Sequence, residues 1–229
     1  VPGPAGLAEY VLLDDYQLYK ADNEMSFEEI CLTEPLACVV HSVRKARVER
    51  ADHVVVLGTG IMGLLHLVLA KQMGTRVIVS ELNEERAAFV EEVGADVVID
   101  PTQGSFTDQV RALTRGHGAD VIFCTVSTAS AVEQSQEAVA KGGRVHVYAS
   151  IHPRGTKISV DPNLFHAREI VLTGTMSQSK EDMLQAVRMI SRGLVDLKPF
   201  ISLVLPFDRL EEGLQSALRL DTYRVVMTM

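Results

Sequence analysis

The chain has 229 residues, of which 47% are hydrophobic, and a formal net charge of −8. That apolar content suffices for one large domain or two unequal ones, and ordinary glycine and proline usage excludes long disorder. The acidic balance and the lack of a basic block exclude nucleic acid and anionic membrane as expected partners. No apolar run reaches membrane-spanning length, and no signal peptide is recognisable. Cys31, Cys38 and Cys124 are scattered and form neither a disulfide framework nor a Cys-x-x-Cys knuckle, so a reducing cytoplasm is the expected location. The chain begins Val-Pro-Gly-Pro without a methionine, as expected of a processed product or a piece of a longer chain.

Residues 8–13 predict a strand, Asp14-Asp15 a turn, and Leu18-Tyr19 a second extended piece. Ser26-Phe27-Glu28-Glu29 reads as a capping box opening a short helix. Glu34-Pro35 opens a longer helix to about Ala46, with Arg44, Lys45 and Arg47 at its C-terminal end, where cations suit the dipole.

Val54-Val55-Val56-Leu57 then reads as a buried strand. Gly58-Thr59-Gly60-Ile61-Met62-Gly63 follows, then an apolar helix stopped at Gly74, and a second strand from Arg76 to Ser80 ending in Glu81. This is the strand, glycine turn, helix, strand, acid order of a dinucleotide site. Gly58 allows the tight turn, Gly60 lets backbone approach a pyrophosphate, and Gly63 lets helix and strand pack closely. The helix N-terminus faces the phosphates with free N–H groups and a positive dipole end. Glu81, 18 residues past Gly63, is placed to accept from both ribose hydroxyls and to repel a 2′-phosphate, which favours NAD over NADP. A rival ligand for a glycine turn is S-adenosylmethionine. Methyltransferase turns usually carry an acid before the glycines, and here Val56 and Leu57 stand there.

The β/α alternation continues. Helices are predicted over 84–93, 106–113, 129–140 and 180–190, and strands over 97–99, 119–124, 144–148 and 169–173. With the two strands above, this gives an α/β fold with a doubly wound parallel sheet. Leu203 to Pro206, a helix from Asp208 to Leu218 and a strand from Arg224 to Thr228 close the chain.

Taken together, these segments resemble the medium-chain dehydrogenase/reductase family, the zinc alcohol and polyol dehydrogenases. The resemblance rests on Ala8-Glu9-Tyr10-Val11, Ser26-Phe27-Glu28-Glu29, the glycine turn, Val93-Gly94-Ala95-Asp96, Gly142-Gly143-Arg144-Val145 and Leu172-Thr173-Gly174-Thr175. Glu34-Pro35-Leu36 with His41 is similar to the sorbitol and threonine dehydrogenase branch. The resemblance implies a Rossmann NAD domain at 46–194, a remnant of a GroES-like β domain at 1–45, and a return to that domain at 195–229. Roughly the N-terminal third of the family's length, with its zinc cysteine and Gly-His-Glu segment, is not in this sequence.

Further residues carry roles only by that resemblance. Arg86 matches a basic residue near the adenosine ribose. Thr125 and Val126 match the segment beside the adenosine and nicotinamide ribose. Ala149 and Ser150 match positions holding the nicotinamide carboxamide, and Met176 and Ser177 are similar in role. Arg224 matches an arginine that reaches the pyrophosphate. Ile61 and Met62 lie in the glycine turn, and Met62 and Cys38 match positions packed on the nicotinamide. Glu34 matches a glutamate that approaches the catalytic zinc directly or through water, and is the one catalytic and metal candidate. The implied reaction is NAD-dependent, zinc-assisted oxidation of a small-molecule alcohol by hydride transfer, in a homo-dimer or tetramer that covers the sheet edge at 169–175. A non-catalytic NAD-binding module and a zinc-free reductase of the same superfamily are the alternatives.

Overall fold

Val54, Val55 and Val56 have no solvent exposure and Leu57 only 5%, so the central strand is buried on both faces. β-branched residues suit that environment, because a parallel strand carries helices above and below it. The computed structural model describes residue 8, residues 10–22 and residues 25–229. In chain order the helices and strands are α1 (Phe27–Ile30), α2 (Thr33–Lys45), β1 (His53–Leu57), α3 (Ile61–Gln72), β2 (Arg76–Ser80), α4 (Glu84–Val93) and β3 (Val97–Ile99). There follow α5 (Phe106–Leu113), β4 (Ala119–Cys124), α6 (Ala129–Ala138), β5 (Val139–Val147), α7 (Pro162–Arg168) and β6 (Val171–Gly174). The last are α8 (Lys180–Ser191), β7 (Ile201–Pro206), α9 (Leu210–Ala217) and β8 (Arg224–Thr228).

The contacts divide the chain into two units. Cys38–Gln178 is one, and the described part of 1–37 with Ser179–Met229 is the other. The first unit holds a six-stranded parallel sheet in the order β3-β2-β1-β4-β5-β6. This is the doubly wound Rossmann arrangement that the β/α alternation predicts. The order reverses beside β1, so β1 sends its chain to β2 on one side while β4 pairs on the other. One core cluster joins Val55, Ile78 and Ile122 of the sheet to Phe106 and Val110 of α5 and Val132 of α6. The second unit holds a parallel pair, β7 with β8, together with α9.

Caps set several boundaries. Ser26 caps α1 by accepting from the Glu29 N–H, Asn83 caps α4 by accepting from the Arg86 N–H at 2.9 Å, and Gly94 ends α4 in the left-handed conformation. Three expectations are corrected. The strand expected over 8–13 is not formed in its described part: Tyr10 to Leu13 have no regular structure, and Leu12 is 99% exposed. A strand needs a neighbour for its N–H and C=O groups, and none pairs with this stretch among the described residues. Leu18-Tyr19 is likewise irregular, and the turn before it is a short 3₁₀ helix at Asp15–Gln17. Finally, α6 stops at Ala138 rather than near Ala140, because Val139 already pairs with Ala119 of β4. Gly142 and Gly143 lie inside β5 at a register shift, not after a helix.

His66 of α3 and His146 of β5 are both fully buried. His66 Nδ1 donates to the Met62 carbonyl at 2.7 Å, which leaves Nε2 to accept from the Ser42 hydroxyl at 2.8 Å. Its ring packs on Phe123 and Tyr148, with centroids 4.5 and 4.6 Å away. His146 Nε2 lies 3.0 Å from the Thr175 hydroxyl. Burial pushes His66 down to about 3, and burial aided by the Lys45 and His41 charges pushes His146 down to about 4. Both rings stay neutral in the fold but charge in the unfolded chain below about 6.5. Stability from these two rings is therefore full above pH 6.5 and is lost as pH falls toward 4, at up to roughly 1.4 kcal/mol per pH unit for each. Denaturant midpoints taken between pH 7 and 4 should fall more steeply for the unaltered chain than for His146→Gln; parallel curves would discard this account.

Candidate functional site

The C-terminal ends of β1, β2 and β4 meet where the strand order reverses, the place at which open α/β sheets bind ligands. A cavity of about 590 Å³ opens there, within the size range of small-molecule sites. The glycine turn forms its floor. Gly58 has φ +85°, a conformation that L side chains rarely adopt, and its N–H donates to the Ser80 carbonyl at 2.9 Å. A Cβ on Gly63 would lie 2.0 Å from the Gly58 carbonyl oxygen, so α3 can sit this close to the turn only with glycine there. Gly60 differs from both. It caps α3 with φ −60° and ψ 174°, and a Cβ there would meet no atom within 4 Å. The protein itself gives no steric reason for glycine at 60, and the space there opens into the cavity. The first N–H groups of α3 face that space from the positive end of the helix.

Thr125 closes the turn from β4. Its hydroxyl donates to the Leu57 carbonyl at 2.7 Å and the Gly58 carbonyl at 3.2 Å, and its N–H donates to Leu57 at 3.2 Å. Glu81 leaves β2 and turns back to the glycines. Its Oε2 accepts the Thr59 N–H at 3.0 Å and the Thr59 hydroxyl, and its Oε1 accepts the N–H groups of Leu82 at 2.8 Å and Asn83 at 2.9 Å. Burial pushes the Glu81 carboxyl up, but these donors outweigh burial and hold it below the usual carboxylate range. It therefore stays ionised in the cavity at neutral pH.

The structure gathers Gly58, Gly60, Glu81, Arg86, Thr125 and Val126 around this one cavity. Ile61 and Met62 begin α3 beside it, and Gly63 lies behind the turn. Ala149, Ser150 and Met176 line a second cavity of about 680 Å³ with His41, Lys45 and Tyr148, and Ser177 follows with φ +61°. Cys38 Sγ donates to Gln178 Oε1 at 3.0 Å. Glu34 is an exposed residue in the first turn of α2, and Arg224 begins β8; both belong to the other unit. Sequence reading missed Pro101 and Phe106, which form the cavity's apolar wall, and Ser130 and Gln134, which add polar groups. The position of Pro101 just past the end of β3 is the signal that could have found it. Among the described residues no group of three or more His, Cys, Asp or Glu could hold a metal ion. The residues present thus fit a dinucleotide and do not by themselves fit zinc.

Residues 62–192 match the family model described as zinc-binding dehydrogenase. The chain belongs to that family. A D-arabitol-phosphate dehydrogenase of Enterococcus avium is 28% identical over 220 residues, covering 90% of this chain and 61% of the relative. A 2-dehydro-3-deoxy-L-galactonate 5-dehydrogenase of Pseudoalteromonas atlantica is 33% identical over 191 residues, covering 82% of the chain and 54% of the relative. A crystal structure from Sinorhizobium meliloti, of a protein classed as a zinc-binding dehydrogenase and bound to NADP, superposes with a TM-score of 0.89 at 26% identity. It covers 98% of this chain, which spans 66% of that one. The chain thus spans about three fifths of the length of the dehydrogenases it matches. No helix among the described residues is long and apolar enough to cross a membrane.

The two glycines should separate by experiment. Gly63→Ala should cost about 2 kcal/mol or more of stability by denaturant unfolding, because backbone must move to admit the methyl group. Gly60→Val should unfold near the unaltered chain yet lose nucleotide binding by calorimetry; retained binding would end its role as the close-approach residue.

Proposed function

We propose that this chain is the cofactor-binding part of an NAD-dependent zinc-type dehydrogenase that oxidises a secondary alcohol or polyol to a ketone. The observation that carries the reading is Glu81, an ionised carboxylate in the same cavity as the open space at Gly60. The turn and the start of α3 would hold the pyrophosphate, Glu81 and Arg86 would flank the adenosine ribose, and Pro101 and Phe106 would pack against the adenine. Thr125 and Val126 would border the riboses, Ala149 and Ser150 would hold the carboxamide, and Cys38, Met62, Met176 and Ser177 would surround the nicotinamide. When bound, the dinucleotide supplies the hydride acceptor. The chain's own share is to fix its position and exclude water from one side of it.

Similarity to a D-arabitol-phosphate dehydrogenase and a 2-dehydro-3-deoxy-L-galactonate 5-dehydrogenase supports a polyol or other secondary alcohol as substrate. The neighbour in complex with NADP leaves the nucleotide choice open within the family. Here the charge of Glu81 favours NAD, since a 2′-phosphate beside it would be repelled. Zinc would come with ligands outside the described residues, with Glu34 approaching it. Cys31, Cys38 and Cys124 form no disulfide, which suits a reducing cytoplasm. The β6 edge would pair with a second copy, since Val171 there is 48% exposed on the sheet's outermost strand.

Two outcomes are expected. In calorimetric titrations Glu81→Ala should weaken NAD more than NADP; equal losses would remove Glu81 from nucleotide choice. In sedimentation the chain should run as a dimer or tetramer, and Val171→Lys should shift it toward monomer.

A further inference from the structure

A carboxylate offers about four acceptor positions, two on each oxygen. Glu81 already receives four donors: the Thr59 N–H and hydroxyl at Oε2, and the Leu82 and Asn83 N–H groups at Oε1. The ribose hydroxyls assigned to it therefore lack a place. Three of these donors are backbone amides, fixed by the glycine turn and by the start of α4. The fourth is a side chain and can turn away about one bond without moving the backbone. Thr59 is only 2% exposed, so that hydroxyl is not being drawn off by solvent, and it lines the same cavity as Gly60.

We propose that the Thr59 hydroxyl holds the place of a ribose hydroxyl on Glu81 and is exchanged for it when a dinucleotide binds. The proposal rests on the dinucleotide reading of this cavity. One hydrogen bond to Oε2 breaks and one from the ribose forms, and the released hydroxyl gives up that partner. Thr59 is thereby a positioning residue that acts through Glu81. The exchange serves NAD specifically. The hydroxyl that takes this place is the 2′-hydroxyl of the adenosine ribose; in NADP that oxygen carries a phosphate, which cannot donate in Thr59's stead.

The test titrates the 229-residue chain and its Thr59→Val, Thr59→Ala and Thr59→Ser variants with NAD, ADP-ribose and NADP. Thr59→Val should bind NAD and ADP-ribose about fivefold more tightly, because the ribose no longer displaces a bonded hydroxyl, and should bind NADP unchanged. Thr59→Ser should match the unaltered chain. Thr59→Ala gives the same reading should the valine variant not fold, with folding checked by thermal unfolding. Equal weakening of NAD and NADP in the valine or alanine variant, or an unchanged NAD affinity, overturns the proposal, since a hydroxyl that only braces the turn would give those results. If the unaltered chain binds none of the three nucleotides, the dinucleotide reading itself is overturned and the proposal falls with it.

Discussion

The contact between α3 and the glycine turn is the constraint on which the site depends. With a Cβ on Gly63 only 2.0 Å from the Gly58 oxygen, helix and turn are as close as backbones allow. That closeness aims the first N–H groups of α3 at the cavity, and it leaves the space at Gly60 open. Thr125 reinforces it from the far side by bonding the carbonyls of Leu57 and Gly58, so β4 braces the turn that β1 delivers. Three strands and one helix are thus locked around a few atoms of backbone, and the preorganised donors need no rearrangement to meet an anion.

In the proposed site Glu81 links this rigid turn to the choice of ligand. Its carboxylate ties Thr59 to the start of α4, and that alone would justify its presence. A purely structural role, however, needs no opening to the outside, and Glu81 lines the cavity. The two roles compete for the same lone pairs. A site in which one acceptor position is held by a movable hydroxyl reconciles them, because the turn stays intact while the ribose is admitted.

How much of this is legible in the sequence follows from how local each signal is. The bounds of α4 follow from Asn83 and Gly94, and the strands of the sheet from short apolar runs between helices. The glycine turn with Glu81 is legible because its parts lie close together in the chain. The stretch at 10–13 was misread because its apolar pattern asks for a neighbouring strand, which no local signal supplies. Helix α7 was missed although Asp161 caps it and Pro162 sits in its first turn, since seven residues are too few to show a helical period. The end of α6 was misjudged because pairing of Val139 with Ala119 overrode the glycine stop signal. The filling of Glu81 by Thr59 is a matter of rotamer, which sequence does not carry.

The two ends of the sheet are built for opposite purposes. At the N-terminal ends charges are tied across strands: Asp120 accepts from the His53 N–H at 2.8 Å, Arg144 pairs with Asp52 at 3.3 Å, and Asp96 bonds both Lys71 and the Val77 N–H at 2.7 Å. Such pairing fixes strand position and spends polar groups on the protein itself. At the C-terminal ends Glu81 and Thr125 also bond the turn, but they line an open space that none of the N-terminal pairs borders. Parallel strands make this asymmetry possible, since all their C-terminal loops emerge on one side. A sheet pinned at one end can hold the other end rigid and open. The one flexible element that the cavity then requires is a side chain that yields, and Thr59 is placed to be it.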